Sequence, residues 1–168
     1  MKKTKLLFAG LIAVLSTLSF AQCTTNYTPT ENDLPIETLT ELQTAFPKAV
    51  YVEPTLSSTY IVKNVSGKPI GFVLLSSPYS DNIKGFNGPT PLQIALDRDG
   101  KIIEVKVLEN RETPSFLNRV IEAGFLDSWN GLNIFGALEK EVDAVSGATY
   151  TSNSIQRSLK VRLQQDAK

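Results

Sequence analysis

Histidine is absent from this 168-residue sequence, and cysteine occurs only once, as Cys23. Without histidine, the chain cannot form a Ser-His-Asp or Cys-His catalytic group, attach haem through a CxxCH motif, or ligate zinc through imidazole. A single cysteine excludes an internal disulfide, a CxxC redox pair and a cysteine-ligated cluster. Any redox or group-transfer chemistry would therefore depend on carboxylates, hydroxyls, lysines or a bound cofactor.

The sequence also lacks an excess of basic residues. It contains 17 Lys+Arg and 17 Asp+Glu, so its formal net charge is zero, and this balance argues against a nucleic-acid partner. A chain of this length is typical of a single domain, since domains usually contain ~100–200 residues. With 42% hydrophobic residues, such a domain can bury its own core.

The N-terminus has the pattern of an export signal. Three lysines, at positions 2, 3 and 5, precede an apolar stretch from Leu6 to Leu15, and Ser19-Phe20-Ala21 fits a cleavage site. We therefore predict that residues 1–21 are a signal peptide. Its removal leaves 14 basic and 17 acidic residues, a formal net charge of −3. The predicted location is the periplasm or the outer face of the cytoplasmic membrane.

Two other fates of the N-terminus remain open. The apolar run from Leu6 to Ala21 is 16 residues long, shorter than the ~20 of a membrane-spanning helix, but it could be retained as an anchor. Cys23 could instead carry a lipid, although Gln22 stands where a lipoprotein signal usually has a small residue.

The remainder predicts a flexible tether over residues 22–33 and one α+β domain over residues 34–168. A helix is expected after Pro35, with Asp33 near its N-cap and Pro47 ending it. Strands are expected at Tyr60–Lys63, Ile70–Leu75, Leu92–Leu96 and Ile103–Val107, and a glycine- and proline-rich loop at Asp81–Pro91. We therefore expect an antiparallel sheet with helices packed on one side or at one end.

Further turns and helices complete this prediction. Asp97-Arg98-Asp99-Gly100 should form a hairpin turn, because glycine accepts a positive φ. Pro114 is expected to end the preceding strand, and a helical pattern runs from Phe116 to Ile121. The last helix is expected over Asn153–Gln165, with Asn153 as its cap and Gln156 completing a capping box.

The segment Asp143–Ser152 is the most unusual part of the sequence. It reads Asp-Ala-Val-Ser-Gly-Ala-Thr-Tyr-Thr-Ser, so hydroxyl groups are frequent and Gly147 and Ala148 allow a close approach to the backbone. It directly precedes the predicted last helix, whose free N–H groups would favour an anion such as phosphate near Thr149. From the spacing alone, an ordinary N-cap turn is the favoured explanation of these residues, because Ser/Thr-rich caps are common.

Several motifs in this half of the chain resemble the FMN-binding domain family. Asp143-x-x-Ser146-Gly147-Ala148-Thr149 is similar to the family's flavinylation motif, as found in the FMN-carrying subunits of the Na⁺-translocating NADH:quinone reductase and the Rnf complex. Gly85-Phe86-Asn87-Gly88-Pro89 and Glu112-Thr113-Pro114 are similar to its glycine-rich loop and its Glu-Thr-Pro loop. These motifs occur in the family's order between Ile83 and Ser152.

This resemblance implies FMN joined covalently to Thr149 through a phosphoester. A separate flavin transferase would make the bond from FAD, reading Asp143 and Ser146, while Gly147 and Ala148 leave room for it. The isoalloxazine ring would be contacted by the two loops, that is, by Gly85, Phe86, Asn87, Gly88, Glu112, Thr113 and Pro114. One difference is that Pro114 is followed by Ser-Phe-Leu, whereas family members often have Gly-Leu-Gly.

Other residues have simpler interpretations. Arg111 could stabilise a reduced flavin, but a solvated charge at a strand end explains it more simply. Core packing is favoured over ring shielding for three aromatic residues (Phe125, Trp129 and Phe135). Tyr150 and Thr151 are expected only to complete the helix cap.

The resulting hypothesis is an extracytoplasmic electron carrier that presents covalent FMN to a membrane electron-transfer complex. No side chain is placed to act on an organic substrate, so an electron-transfer flavoprotein is favoured over a self-sufficient oxidoreductase. Two alternatives remain: a flavin-dependent reductase domain acting on a small acceptor, and a non-redox exported scaffold or binding protein.

Overall fold

A computed structural model describes residues 27–167 of the chain. The predicted signal peptide and Cys23 lie outside the described residues. So does the first part of the predicted tether, and the domain boundaries therefore stay predictions. Within residues 27–167, no helix is long and apolar enough to cross a membrane.

Six antiparallel strands form one sheet in which every strand pairs with its neighbour in the sequence. In the register of β4, β5 and β6, Leu74 pairs with Ile94, and Ile94 pairs with Val105. The strands are β1 (Leu34–Pro35), β2 (Tyr51–Pro54), β3 (Thr59–Lys63), β4 (Pro69–Leu75), β5 (Leu92–Leu96) and β6 (Ile102–Val107). The predicted antiparallel sheet and α+β class are thus confirmed.

Three α-helices follow the sheet: α1 (Pro114–Glu122), α2 (Ile134–Glu139) and α3 (Thr149–Asp166). Residues 27–167 also contain two 3₁₀ helices, Ile36–Leu42 and Phe125–Trp129. The α-helices and the second 3₁₀ helix pack on one face of the sheet, whereas the first 3₁₀ helix covers the other.

The larger core lies between α3 and the sheet. Ile155, Leu159 and Leu163 are fully buried at the predicted i, i+4, i+8 spacing, and they pack in one cluster with Ile94 and Trp129. The opposite face buries a second cluster that includes Leu42, Phe46, Val52, Val62 and Val73. The sheet is therefore covered on both faces, which explains why all five residues of β5 are buried.

The segment around Pro35 differs from its prediction. It forms the two-residue strand β1 and a 3₁₀ helix with a kink at Leu39, rather than a regular α-helix. Asp33 does not cap this helix. Its buried carboxylate accepts hydrogen bonds from the backbone and hydroxyl of Thr30, both at 2.9 Å, and pairs with Lys63 at 3.0 Å. These partners keep the carboxylate away from the helix terminus.

The start of the last helix was also predicted wrongly. It begins at Thr149, four residues before Asn153, with Ala148 at the N-cap position and no capping side chain. The hydroxyl of Ser152 donates to the Ala148 carbonyl (3.0 Å) and accepts from the Val145 N–H (3.1 Å), which stabilises the earlier turn. Gln156 closes no capping box; its side-chain carbonyl accepts instead from the Val142 N–H at 2.8 Å.

Pro114 has a different role from the predicted one. Strand β6 ends at Val107, and Pro114 is the first residue of α1. A proline fits this position because the first turn of a helix leaves its N–H groups without intrahelical acceptors. The side chain of Ile121, the last residue of the predicted helical pattern, is 50% exposed.

Arg162 fixes α3 to the end of β4 and the start of β3, the two central strands of the sheet. Its fully buried guanidinium donates to the carbonyls of Leu75 (2.8 Å) and Ser57 (3.1 Å) and to the hydroxyl of Thr59 (2.7 Å). It also pairs with Asp166 one turn later. A buried charge of this kind is stable only while all these acceptors remain in place.

Arg162→Ala should therefore lower the free energy of unfolding by about 3 kcal/mol, because it leaves buried acceptors without a donor. Arg157→Ala removes an exposed arginine from the same helix and should change stability by less than about 0.5 kcal/mol. Urea denaturation followed by circular dichroism measures both. Equal effects of the two substitutions would contradict this role of Arg162.

Candidate cofactor site

The turn before α3 has a fixed backbone and exposed polar side chains. Gly147 has a φ of +76°, a left-handed conformation that glycine adopts readily. Ala148 is buried, whereas Asp143, Ser146 and Thr149 are exposed. The residues that carry the motif's polar groups are therefore accessible to another protein.

Thr149 is the first residue of α3, and no side chain caps this end of the helix. The first N–H groups of a helix have no intrahelical acceptor, and the helix dipole adds partial positive charge there. The Ser152 N–H already donates to the Ala148 carbonyl at 3.0 Å. A negatively charged group on the Thr149 hydroxyl would thus lie in a favourable field.

A pocket of about 240 Å³ opens beside Thr149. One wall is the segment from Gly147 to Thr151, and the other is formed by Phe86 and Phe116. The two phenylalanine rings meet edge to face, with centroids 4.9 Å apart. Phe86 and Tyr150 are 59% and 70% exposed, so aromatic surface surrounds an open entrance.

Glu112 holds the glycine-rich loop in place from behind this pocket. Its carboxylate is only 6% exposed and accepts hydrogen bonds from three successive N–H groups, those of Phe86 (3.2 Å), Asn87 (2.7 Å) and Gly88 (3.1 Å). It also accepts from the Thr151 hydroxyl at 2.5 Å. One side chain thus connects the loop on one wall of the pocket with α3 on the other.

These contacts decide the charge of Glu112. Burial alone would raise its pKa, but the hydrogen bonds from the Thr151 hydroxyl and from the three N–H groups stabilise the charged form. The net result is a pKa below the ordinary value for a glutamate. Glu112 is therefore an ionised acceptor at neutral pH, not a proton donor to a ligand.

The loop is shaped closely around this carboxylate. A Cβ atom on Gly85 would lie 2.8 Å from Oε1 of Glu112, so a larger residue could not stand there without movement. The Gly85 N–H donates to the Gly88 carbonyl (2.7 Å), and the Asn87 amide donates to the Arg111 carbonyl (2.6 Å). The loop and the Glu-Thr-Pro segment consequently form one unit.

The structure brings only some of the predicted site residues to the pocket. Phe86, Gly147, Ala148 and Thr149 line it. The other predicted residues of the two loops do not line the pocket. Gly85, Asn87 and Gly88 surround the carboxylate of Glu112. Thr113 and Pro114 lie at the N-terminus of α1. Asp143 and Ser146 are exposed on the preceding turn and do not line the pocket either.

Sequence reasoning missed three residues of the lining. Phe116 was expected only on a helical face, and Tyr150 and Thr151 only in a cap, yet all three border the pocket. The expected core positions of Trp129 and Phe125 are confirmed, since both side chains are buried and their rings meet edge to face. Phe135 is 65% exposed and is neither in the core nor at the pocket.

Arg111 lies on the other side of the glycine-rich loop. Its exposed side chain lines a second cavity of about 410 Å³ together with Asp81 and Glu109. It does not border the pocket beside Thr149.

Residues 85–164 match the family model described as "FMN-binding domain". This segment is therefore similar to that family's domain. It is also 26% identical over 138 residues to a subunit of the ion-translocating oxidoreductase complex of Stutzerimonas stutzeri. That alignment covers 70% of this chain and 59% of the relative, so this chain spans less than two thirds of the relative's length.

The residues present fit an FMN group. An apolar pocket with two phenylalanine walls suits a planar aromatic ring. Next to it, the exposed Thr149 hydroxyl stands at an uncapped helix terminus, which suits a phosphate.

Glu112→Gln should lower the free energy of unfolding at pH 7 by about 2 kcal/mol, because a neutral amide cannot accept all four hydrogen bonds. The pKa of Glu112 is lowered on folding, so its stabilising contribution is complete above the ordinary value of 4.5 and is lost as the pH falls below it. Wild type should consequently lose stability more steeply between about pH 5 and pH 3 than the variant does.

Urea titrations at several pH values measure this difference. Glu109→Gln, which changes an exposed carboxylate three residues away, is the matched control and should keep the wild-type profile. Parallel pH profiles of wild type and Glu112→Gln would show that the carboxylate is not a structural acceptor.

Proposed function

We propose that this protein is an extracytoplasmic electron carrier with FMN attached through a phosphoester to Thr149. The observation that supports this most directly is the position of Thr149. Its exposed side chain stands at the first residue of α3, at the edge of an aromatic pocket, inside the segment that matches the FMN-binding domain. FMN, when bound, supplies one- and two-electron redox chemistry that no side chain of this protein can provide.

In this proposal the protein's own residues position and shield the flavin. Phe86 and Phe116 contact the ring, and Tyr150 covers the entrance of the pocket. Glu112 keeps the loop that carries Phe86 at a fixed distance from α3 through its bonds to the loop and to Thr151. Because Glu112 is not among the residues that line the pocket, it acts on the flavin only through the loop and Thr151.

A flavin transferase would be the partner in maturation. The Thr149 oxygen forms a bond to the phosphorus on the flavin side of FAD, the pyrophosphate bond breaks, AMP leaves, and the hydroxyl proton passes to a base. The acceptor oxygen must be reachable from outside, as the exposure of Thr149 allows. Exposed Asp143 and Ser146 give the transferase two polar groups to recognise on the same turn.

A membrane electron-transfer complex is the proposed redox partner. The relative from Stutzerimonas stutzeri is named as a subunit of an ion-translocating oxidoreductase complex. The predicted export signal would place this protein on the outer side of the cytoplasmic membrane, free or held there by its N-terminus. In that location a covalent bond has a physical advantage, since binding of scarce free FMN by mass action would leave the site mostly empty.

Co-expression with a flavin transferase should increase the intact mass of wild type by that of FMN less one water. Thr149→Ala removes the acceptor oxygen and should abolish the gain. Thr40→Ala removes an exposed threonine from the 3₁₀ helix on the opposite face of the sheet and should retain it in full. An unmodified, colourless wild type under these conditions would favour the non-redox scaffold.

Phe116→Ala should leave the mass gain intact but expose the flavin, because one wall of the pocket is lost. We expect a higher fluorescence yield, a lower anisotropy and faster quenching by iodide than in flavinylated wild type. Phe135→Ala, which removes an exposed aromatic ring away from the pocket, is the control. Identical quenching in Phe116→Ala and wild type would place the ring outside this pocket.

A turnover assay on the same flavinylated protein distinguishes an electron carrier from a reductase. After chemical reduction, a carrier passes its electrons to a protein partner and is not turned over by small acceptors. Catalytic consumption of a reductant that depends on a small acceptor would instead support the reductase alternative.

A further inference from the structure

We infer that Arg119 binds the phosphodiester that joins the flavin to Thr149 and thereby positions the cofactor. This inference rests on the proposed function, because it requires a phosphate on Thr149. It assigns a role to a residue that none of the sequence motifs includes.

The contact between Arg119 and Gly147 supports this assignment. Arg119 lies in the last turn of α1, and its guanidinium rests against the backbone of the motif. A Cβ atom built on Gly147 would be 2.2 Å from Nη1 and 3.3 Å from Cζ of Arg119. The glycine of the motif leaves room for the guanidinium in this position, whereas a side chain at residue 147 would require Arg119 to move.

The guanidinium is also close to the attachment point. Gly147 and Thr149 are two residues apart, so their Cα atoms lie within ~7 Å of each other. Both residues border the pocket that Phe116, one turn before Arg119 on α1, closes from the other side. A phosphate on the Thr149 oxygen would therefore lie within reach of the long Arg119 side chain.

The charge of Arg119 is not used elsewhere in the described part of the chain. Among residues 27–167, no carboxylate lies within 4.0 Å of its guanidinium, whereas Lys63, Lys106, Lys160 and Arg162 all have acidic partners. The guanidinium also donates no side-chain hydrogen bond within the described residues, in contrast to Arg162.

Arginine is chemically suited to this task. A phosphodiester keeps one negative charge and two free oxygens, and the planar guanidinium can donate to both at once. Arg111, the other arginine near the two loops, borders a different cavity and cannot replace it. Arg119 is thus a specificity-determining residue for a flavin that carries a phosphate.

Melting temperatures of flavinylated and unmodified protein test this role. Wild type, Arg119→Ala, Arg119→Lys and Arg157→Ala are each produced with and without the transferase, and intact mass confirms the modification. We expect flavinylation to raise the melting temperature of wild type by about 2–4 °C more than that of Arg119→Ala. The difference should shrink in 1 M NaCl, where charges are screened beyond about 3 Å.

The other variants provide the comparison. Arg119→Lys keeps a single charge without the planar fork and should retain part of the gain. Arg157→Ala, which removes an exposed arginine eight residues beyond Thr149 on α3, should retain all of it. The ³¹P resonance of the phosphodiester should move in both Arg119 variants and stay unchanged in Arg157→Ala. If unmodified Arg119→Ala does not fold, Arg119→Lys and Arg119→Gln give the same comparison.

The outcomes separate this inference from the proposed function. If wild type gains no FMN mass, the covalent flavin and its phosphate contact are both wrong. If wild type is modified but Arg119→Ala shows the same stabilisation and the same ³¹P resonance, only the role of Arg119 is wrong. A folded Arg119→Ala that takes up no FMN, while Arg119→Lys does, would support the same contact acting during transfer.

Discussion

The candidate site depends on one buried, ionised carboxylate. Glu112 compensates its own loss of hydration with four hydrogen bonds, three from the loop that begins at Gly85 and one from Thr151 on α3. Both walls of the pocket beside Thr149 are therefore held by the same two oxygen atoms. This connection continues inward, where the Thr151 carbonyl accepts from Ser154, whose hydroxyl is in turn 2.9 Å from that of Thr90. A polar network that is fully satisfied resists movement, and here it fixes the distance between the aromatic wall and the helix terminus.

The sequence predicted the parts of the fold whose signals are local. Alternating residues identified β5 and β6, Gly100 identified the turn between them, and the stripe from Ile155 to Leu163 identified the buried face of α3. It did not predict features that depend on particular hydrogen bonds rather than on the pattern of residue types. Strand β2 has only four residues and is defined by its pairing with β3, and α3 starts at Thr149 because Ser152 bonds back to the preceding turn. In the same way, the motifs identified the segment that matches the FMN-binding domain model, but not Phe116 or Arg119, which reach the motif only through the packing of α1.

The pocket is small and open, and this bears on how a flavin would be retained. Its volume of about 240 Å³ is below the roughly 300–1,000 Å³ of pockets that enclose a ligand, and its entrance is surrounded by exposed Phe86 and Tyr150. Tight non-covalent binding normally requires a more enclosed surface. The covalent bond that we propose would remove this requirement and would leave part of the ring near the protein surface, where electrons could pass to a partner over a short distance.

The order of the strands has a consequence for biosynthesis. Because each strand pairs with the one made just before it, the sheet can assemble progressively as the chain emerges, and contacts between such neighbours form quickly. The larger core nevertheless stays open until α3 covers it, and α3 is also the helix that begins with Thr149. If Thr149 carries the flavin as we propose, a stalled or degraded chain that lacks this helix would lack the attachment oxygen as well. Incomplete copies of the protein would then not consume FAD.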